Sequence, residues 1–361
     1  MERLKVGIVG LNRGGRHAYV AQFSPSILVN AVCDLDAEKA ARIAAEYHIP
    51  RAYSDYAEML DQADIDAVII ATPIACHVDH AVMALRAGKH VLSEVTCATK
   101  LEDLQRLKAA VEASGRRYML AENYVWFRPL VIVRRMIQEG LLGEIYYAEG
   151  DYLKDFEYYP NYPHIGGWRE PTYFGRRGHP YITHSLGPLA TIMQERIAKV
   201  VCMGAGKHER WRADHTCALM LETEKGHMIR LRNSFISPRP DNFLYYSFQG
   251  TKGCFQAAQG PTDYHKIHIQ GLCRPNEWRN IDEFAGFLEA DWQRLDGQKY
   301  DDISGYDSGT PLMQEAFARC VLRGIQPPFA LEDALNWTAT GLLSEDSIEQ
   351  GAQPVRVPSF R

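Results

Sequence analysis

The stretch Val6-Gly7-Ile8-Val9-Gly10-Leu11-Asn12-Arg13-Gly14-Gly15 decides the fold. An apolar run that begins at Leu4 enters a glycine-rich turn. The turn reads Gly10-x-Asn12-x-x-Gly15, one substitution from the G-x-G-x-x-G of dinucleotide-binding βαβ units. In such a turn the first glycine allows a tight bend and the last lets the helix pack on the strand. The helix N-terminus then offers N–H groups and a partial positive charge to a pyrophosphate. Asn12 replaces the middle glycine, and asparagine tolerates left-handed backbone angles, so the turn survives. Asn12 and its neighbour Arg13 are then placed near the phosphates.

Working outward, residues 4–9 read as a buried parallel strand, 14–23 as a helix and 27–32 as a second strand. That strand runs into Asp34, an acid about 20 residues beyond the glycines, where a ribose hydroxyl is held. Asp36 is a near rival. A carboxylate there favours NAD over NADP, which would want an arginine for its phosphate. The alternation continues: helix 37–47, strand 52–53, helix 56–60, strand 67–71, helix 76–87, strand 90–92, helix 101–114 and strand 118–121. Repeated βα units imply a parallel sheet covered on both faces, with ligands at the carboxyl ends of its strands.

The pattern changes near residue 123. After a helix at 130–139 come longer alternating runs at 145–153, 200–206, 217–222, 228–235 and 244–250, separated by turn signals such as Glu224-Lys225-Gly226. These read as a largely antiparallel sheet with one covered face. The stretch 158–181 is rich in Pro, Gly, Tyr and Arg and reads as a functional loop. Helical pattern returns at 312–322 and 332–350. The expected architecture is therefore α/β: a Rossmann domain at 1–122 and, at 123–361, an α/β domain with a large, mostly antiparallel open sheet.

The 361 residues are too many for one ordinary core, which agrees with two domains. The net charge of −5, with no basic stretch, gives nucleic-acid binding no support. No apolar run approaches a membrane span. Strand-forming residues from Leu4 leave no room for a signal peptide. The eight cysteines are scattered without C-x-x-C, which fits reduced thiols in a cytoplasmic protein rather than a zinc site or a disulfide framework.

Taken together, the residues resemble the Gfo/Idh/MocA family of sugar-handling, nicotinamide-dependent proteins. The resemblance rests on the Gly10–Gly15 turn and on Ala71-Thr72-Pro73 with His77 following. It continues through Ala87-Gly88-Lys89-His90-Val91-Leu92-Ser93-Glu94, the Trp168-Arg169 pair, Asp333-Ala334-Leu335-Asn336-Trp337-Thr338 and Ser344-Glu345. It implies NAD at the strand ends, with Thr72, Pro73 and Glu94 near the nicotinamide half. His77, Asn123, Trp168 and Arg169 would be cofactor-adjacent or pocket residues. It also implies a homo-oligomer, dimer or tetramer, formed through the second sheet.

The departures from the family narrow the reading. Its usual Glu-Lys-Pro is here Glu94-Val95-Thr96, and valine cannot move a proton. Its acid–glycine–histidine helix turn is here Pro180-Tyr181-Ile182-Thr183-His184-Ser185-Leu186-Gly187-Pro188, with Thr183 and Gly187 where acid and histidine would stand. That segment, with Glu122-Asn123-Tyr124, is similar to the branch that includes NAD-dependent glycosidases of the α-N-acetylgalactosaminidase group. The branch implies a redox-neutral reaction on a glycoside. The ring is oxidised, the C2 proton is removed, the aglycone leaves, water adds and the ketone is reduced again.

Imidazole titrates near neutral pH, which makes His184 the first candidate acid–base group, with Tyr124 or Tyr181 moving the proton of a hydroxyl. His179 is a second acid–base candidate; a metal role lacks a carboxylate partner at ligand spacing. Asp151 and Asp155 either hold sugar hydroxyls or are solvated strand-end acids. Two alternatives stay open: a net NAD(P)-dependent sugar or polyol dehydrogenase without the usual lysine, and a non-catalytic dinucleotide-binding regulator.

Overall fold

A computed structural model describes residues 2–155, 172, 175–207, 213–239, 245–260, 262–288 and 308–361. The chain forms two compact units. The first comprises Met1–Asn123, Gly309–Leu335 and Phe360–Arg361; the second comprises Tyr124–Ser308 and Asn336–Ser359. Residues 309–335 thus pack with the first unit, although they follow the second in sequence.

In the first unit β1 (Leu4–Val9), α1 (Leu11–Ala21), β2 (Ile27–Cys33), α2 (Ala37–Glu46), β3 (Arg51–Tyr53), α3 (Tyr56–Gln62), β4 (Ala67–Ile70), α4 (His77–Arg86), β5 (His90–Ser93), α5 (Leu101–Ser114) and β6 (Tyr118–Leu120) alternate. Their strands form a six-stranded sheet in the order β3-β2-β1-β4-β5-β6. Every pairing in it is parallel. Val6, Ile8, Val68, Ile69 and Leu92 are fully buried, as strands covered on both faces require. Asp36 and Asp55 start α2 and α3 by accepting the N–H groups of Lys39 and Glu58. Gly115, in the left-handed region at φ 63°, ends α5.

The first helix begins at Leu11, three residues before the sequence reading placed it. Gly10 alone makes the turn, at φ 83°, and a Cβ there would lie 2.7 Å from the Ala71 and Thr72 backbone. Asn12 is therefore helical, and the left-handed tolerance expected of it is not used. The packing glycine is Gly14 rather than Gly15. A Cβ on Gly14 would meet Ile8 Cγ2 at 2.7 Å, whereas one on Gly15 would touch only Ile43 Cδ1 at 3.5 Å, an ordinary contact. Starting the helix earlier rotates Gly14 onto the strand and Gly15 away from it.

The second unit contains α6 (Arg128–Gln138), β7 (Ile145–Leu153), α7 (Thr183–Met193), β8 (Ile197–Lys207), β9 (Asp214–Thr223), β10 (Met228–Ser234), β11 (Tyr245–Gly250), β12 (Gly253–Gln256), β13 (Lys266–Ile269) and β14 (Arg279–Asn280). After α8 (Thr310–Arg323) and α9 (Leu331–Glu349), β15 (Val355–Arg356) completes the sheet. Among the described residues it has nine strands in the order β14-β13-β12-β11-β7-β10-β9-β8-β15. All pairings are antiparallel except β7 with β10. The strands β12 to β15 are too short for periodicity to announce them. One face of the sheet is covered by α7, every residue of which is buried. The other face carries Met203, Met220 and Met228, all exposed.

Candidate active site

The nucleotide-binding end of the first unit is assembled from the ends of β1, β2, β4 and β5. Asp34, just past β2, accepts the Leu11 N–H on Oδ2 (2.7 Å) and the Asp36 N–H on Oδ1 (3.0 Å). Lys39 donates to Asn12 Oδ1 (3.1 Å) and lies 3.4 Å from Asp34 Oδ1. A carboxylate has about four lone-pair directions, so Asp34 keeps acceptor capacity for ribose hydroxyls. Asp36 caps α2, so its side chain is engaged within its own helix.

Glu94 follows β5 and is buried. Its Oε1 accepts from Arg13 Nε and from His17 Nε2, both at 2.8 Å. Its Oε2 takes the Val95 N–H at 3.3 Å. Burial alone would raise its pKa, but the Arg13 guanidinium and the His17 hydrogen bond outweigh that and hold it well below the usual carboxylate range. His17 is fully buried, and its Nδ1 receives Gln314 Nε2 (3.2 Å), which also donates to the His17 carbonyl (3.1 Å). The amide thus fixes the tautomer that points N–H at Glu94. Sequence reading missed both residues. His17 lies on the buried face of α1 with Gly14 and Ala18, a legible position; Gln314 arrives from a helix distant in sequence, with no signal.

Thr72 and Pro73 form the turn after β4. His80 Nδ1 hydrogen-bonds Thr72 Oγ1 at 2.9 Å. His77 Nε2 meets Thr72 O and its Nδ1 meets Thr96 O, each at 2.8 Å. Burial pushes the His77 pKa down despite those two carbonyls. His77 therefore sits between the turns after β4 and β5, and as a neutral ring it donates to one of the two carbonyls. Asn123, buried, opens a short 3-10 helix at Asn123–Trp126.

The second unit gathers an aromatic cluster around His184. Tyr181 OH is 3.1 Å from His184 Nε2. Tyr124 stacks on the imidazole with centroids 4.2 Å apart and planes at 19°. Tyr152, which sequence reading missed, stands 5.5 Å from His184 and 5.7 Å from Tyr181. Tyr181 keeps partial exposure, whereas His184 and Tyr124 are buried. His179 is buried against Phe235, and its Nδ1 pairs with Asn233 Nδ2 at 3.2 Å. Burial pushes its pKa down to about 3, so it is neutral at working pH.

The backbone leading into this cluster is clamped. Asp214 accepts from Arg177 Nη2 (2.8 Å) and Gly178 N (2.9 Å); Glu345 accepts from Arg177 N (3.1 Å) and Arg176 Nε (2.9 Å); Ser344 Oγ accepts from His179 N (2.9 Å). Gly178 sits at φ 71°, and a Cβ there would lie 2.4 Å from Ser344 Oγ. Asp151 is buried and ion-paired with Arg232 Nη2 (2.6 Å) and Arg230 Nη1 (3.3 Å), so it is not a solvated strand-end acid. Asp155 forms an isolated bridge with Ile236. Trp168 and Arg169 lie outside the described residues. Among the described residues, no group of three or more His, Cys, Asp or Glu could hold a metal ion, and no helix is long and apolar enough to cross a membrane.

Residues 4–122 match the oxidoreductase family with an NAD-binding Rossmann fold, and 131–256 match a Gfo/Idh/MocA C-terminal domain. Residues 204–361 match the C-terminal domain of glycosyl hydrolase 109. A glycosyl hydrolase family 109 protein of Streptomyces filamentosus is 31% identical, over 99% of this chain and 77% of its own length. The chain belongs to glycosyl hydrolase family 109. A second member, from Phocaeicola vulgatus, is 28% identical over 99% of this chain and 94% of its own. Levoglucosan dehydrogenase, solved with NADH and L-sorbose, superposes with a TM-score of 0.83 at 20% identity, each chain fully covered, which shows the shared fold.

This family 109 chain is thus an NAD-dependent enzyme with an oxidoreductase fold. Its residues fit the cofactor. The Gly10 turn leaves no room for a side chain, α1 has no side-chain cap, and Arg13 places a cation in the first turn of that helix. Arg13, Asn12 and the α1 N-terminus would face the pyrophosphate, Asp34 the adenosine ribose and Glu94 the nicotinamide ribose.

Proposed function

We propose that the protein is a redox-recycling glycosidase that acts on a sugar ring. The single observation that carries this reading is the Tyr181–His184 hydrogen bond in a chain whose usual lysine is Val95. NAD supplies reversible hydride acceptance at a ring carbon. Tyr181, the partly exposed member of the pair, meets the sugar and passes the proton of the C3 hydroxyl to His184 Nε2 behind it, and the pair returns that proton when the ketone is reduced again. A ketone at C3 would acidify the C2 proton, whose removal needs a base other than the imidazole that already holds the hydroxyl proton. Tyr124 and Tyr152 hold the imidazole plane and keep water from it. Neutral His179 accepts a hydrogen bond and orients Asn233 rather than carrying a charge.

The test is incubation of purified protein with nitrophenyl glycosides and no added NAD. Nitrophenol release without NADH accumulation is expected. Steady NADH production that requires added NAD would replace this reading with the net dehydrogenase, and inertness toward every sugar would favour the regulator.

We also propose that a second copy covers the outer face of the second sheet, as a homo-oligomer. Exposed Met203, Met220 and Met228 on adjacent strands support it. Light scattering should return a multiple of the 40.9 kDa chain mass; a monomer at micromolar concentration would refute it.

A further inference from the structure

Helix α7 carries Pro188 in its interior. An α-helical N–H bonds the carbonyl four residues earlier, and proline has no N–H. The carbonyl deprived by Pro188 is that of His184, the centre of the proposed acid–base cluster. That carbonyl is buried and needs a donor. Tyr246, a fully buried tyrosine on β11, donates its hydroxyl to it. The approach depends on Gly150, which pairs with Tyr246 across the sheet. A Cβ on Gly150 would lie 2.6 Å from Ser185 O, so only glycine lets α7 lie this close to β7. The Tyr246 ring fills the space that glycine leaves, 3.4 Å from the same point.

We propose that Tyr246 is a positioning residue for His184. Pro188 takes the His184 carbonyl out of the helical ladder, and Tyr246 ties that carbonyl to the sheet. The first turn of α7, which has its own Leu186 N–H to Ile182 O bond, is thereby also tied to β11. His184 Nε2 is held at Tyr181 OH from behind, through the backbone of the residue itself.

This inference rests on the proton-relay reading of His184, and its test separates the two. The variants are Tyr246→Phe, Pro188→Ala and the two combined. Alanine at 188 restores an N–H to the His184 carbonyl, so the double variant should repair the single one. For Tyr246→Phe we expect kcat on the responding nitrophenyl glycoside to fall about 10- to 100-fold, because small displacements at a reacting group cost that much. KM should change much less. Losing one buried hydrogen bond should lower Tm by about 3–6 °C. In protein labelled with 13C-histidine, the His184 signal, identified by its loss in His184→Gln, should shift. The double variant should recover most of kcat and return the signal.

A double variant no better than Tyr246→Phe overturns the proposal, as does a Tyr246→Phe protein with native kcat and an unmoved His184 signal. If no glycoside is turned over, the functional reading fails, yet the histidine signal and its return in the double variant still decide the positioning. Should Tyr246→Phe not fold, recovery of folding in the double variant gives the same answer.

Discussion

Replacing His184 by glutamine is expected to leave NAD bound and to lower turnover by about 10²- to 10⁴-fold, the usual weight of a positioned acid–base group. Glutamine can still hydrogen-bond Tyr181 OH, which stands 3.1 Å from the imidazole, but it cannot take up a proton. The ring also packs against Tyr124 and Tyr152, so the substitution keeps part of the contact surface while removing the imidazole nitrogen that faces Tyr181. Tyr181→Phe removes the other half of the relay. If the two work as one unit, the double variant will be little worse than either single one. Steady-state kinetics on the responding glycoside, with cofactor content read by absorbance after denaturation, measures both effects. Turnover within about twofold of native in His184→Gln would remove the imidazole from the chemistry.

The second large effect is expected at Glu94. Its carboxylate is buried, takes hydrogen bonds from Arg13 and His17, and is held well below its ordinary pKa near 4.5. Glu94→Gln removes a buried negative charge from beside the Arg13 cation and should cost about 2–4 kcal/mol of stability near neutral pH. The sign with pH follows from linkage. A carboxyl with a depressed folded pKa binds fewer protons folded than unfolded, so its contribution is complete above the ordinary value and shrinks below it. The stability gap between native protein and Glu94→Gln should therefore be constant from pH 6 to 8 and narrow as pH falls below about 4.5. Urea unfolding across that range checks it. A gap that widens toward acid pH would show that the pair is not charged as the geometry implies. If Glu94 holds the nicotinamide ribose as proposed, NAD binding by calorimetry should also weaken by about tenfold, because a neutral amide oxygen accepts a hydroxyl proton less strongly than a carboxylate.

Both predictions involve groups that the sequence named in different degrees. His184 and Tyr181 were singled out because their segment, Tyr181 to Pro188, is similar to one carried by the glycosidase branch of the family. Glu94 was legible because it ends an apolar strand in a recognisable run. The partners that give each its properties were not. His17 and Gln314, nearly three hundred residues apart, meet only when a late helix returns to the first unit. Tyr152 and Tyr246 look like ordinary alternating strand residues, and nothing local marks one aromatic side chain as facing an imidazole. Asp151 drew attention as a strand-end acid, but the register of β7 with β10 pairs it with Arg232. Register is a long-range property that one strand read alone does not contain.

The glycine turn teaches the same lesson at short range. Spacing identified the tight turn and its first glycine, since no other residue fits at Gly10. It assigned the packing role to Gly15, because the substitution at Asn12 hid the fact that the helix starts at Leu11. The onset was set by Asp34, which accepts the Leu11 N–H from the far end of β2.

By itself the sequence determined the βα alternation and the change to an antiparallel sheet. These are written in neighbouring residues, whose backbone preferences and apolar period act over a few positions. Tertiary structure alone decided which glycine packs, which carboxylates are spent on arginines or helix caps, what fixes the charge of Glu94 and what holds the His184 backbone. Those outcomes depend on burial and on donors brought from distant strands and helices, and a buried polar group takes whatever partner the packing puts within reach.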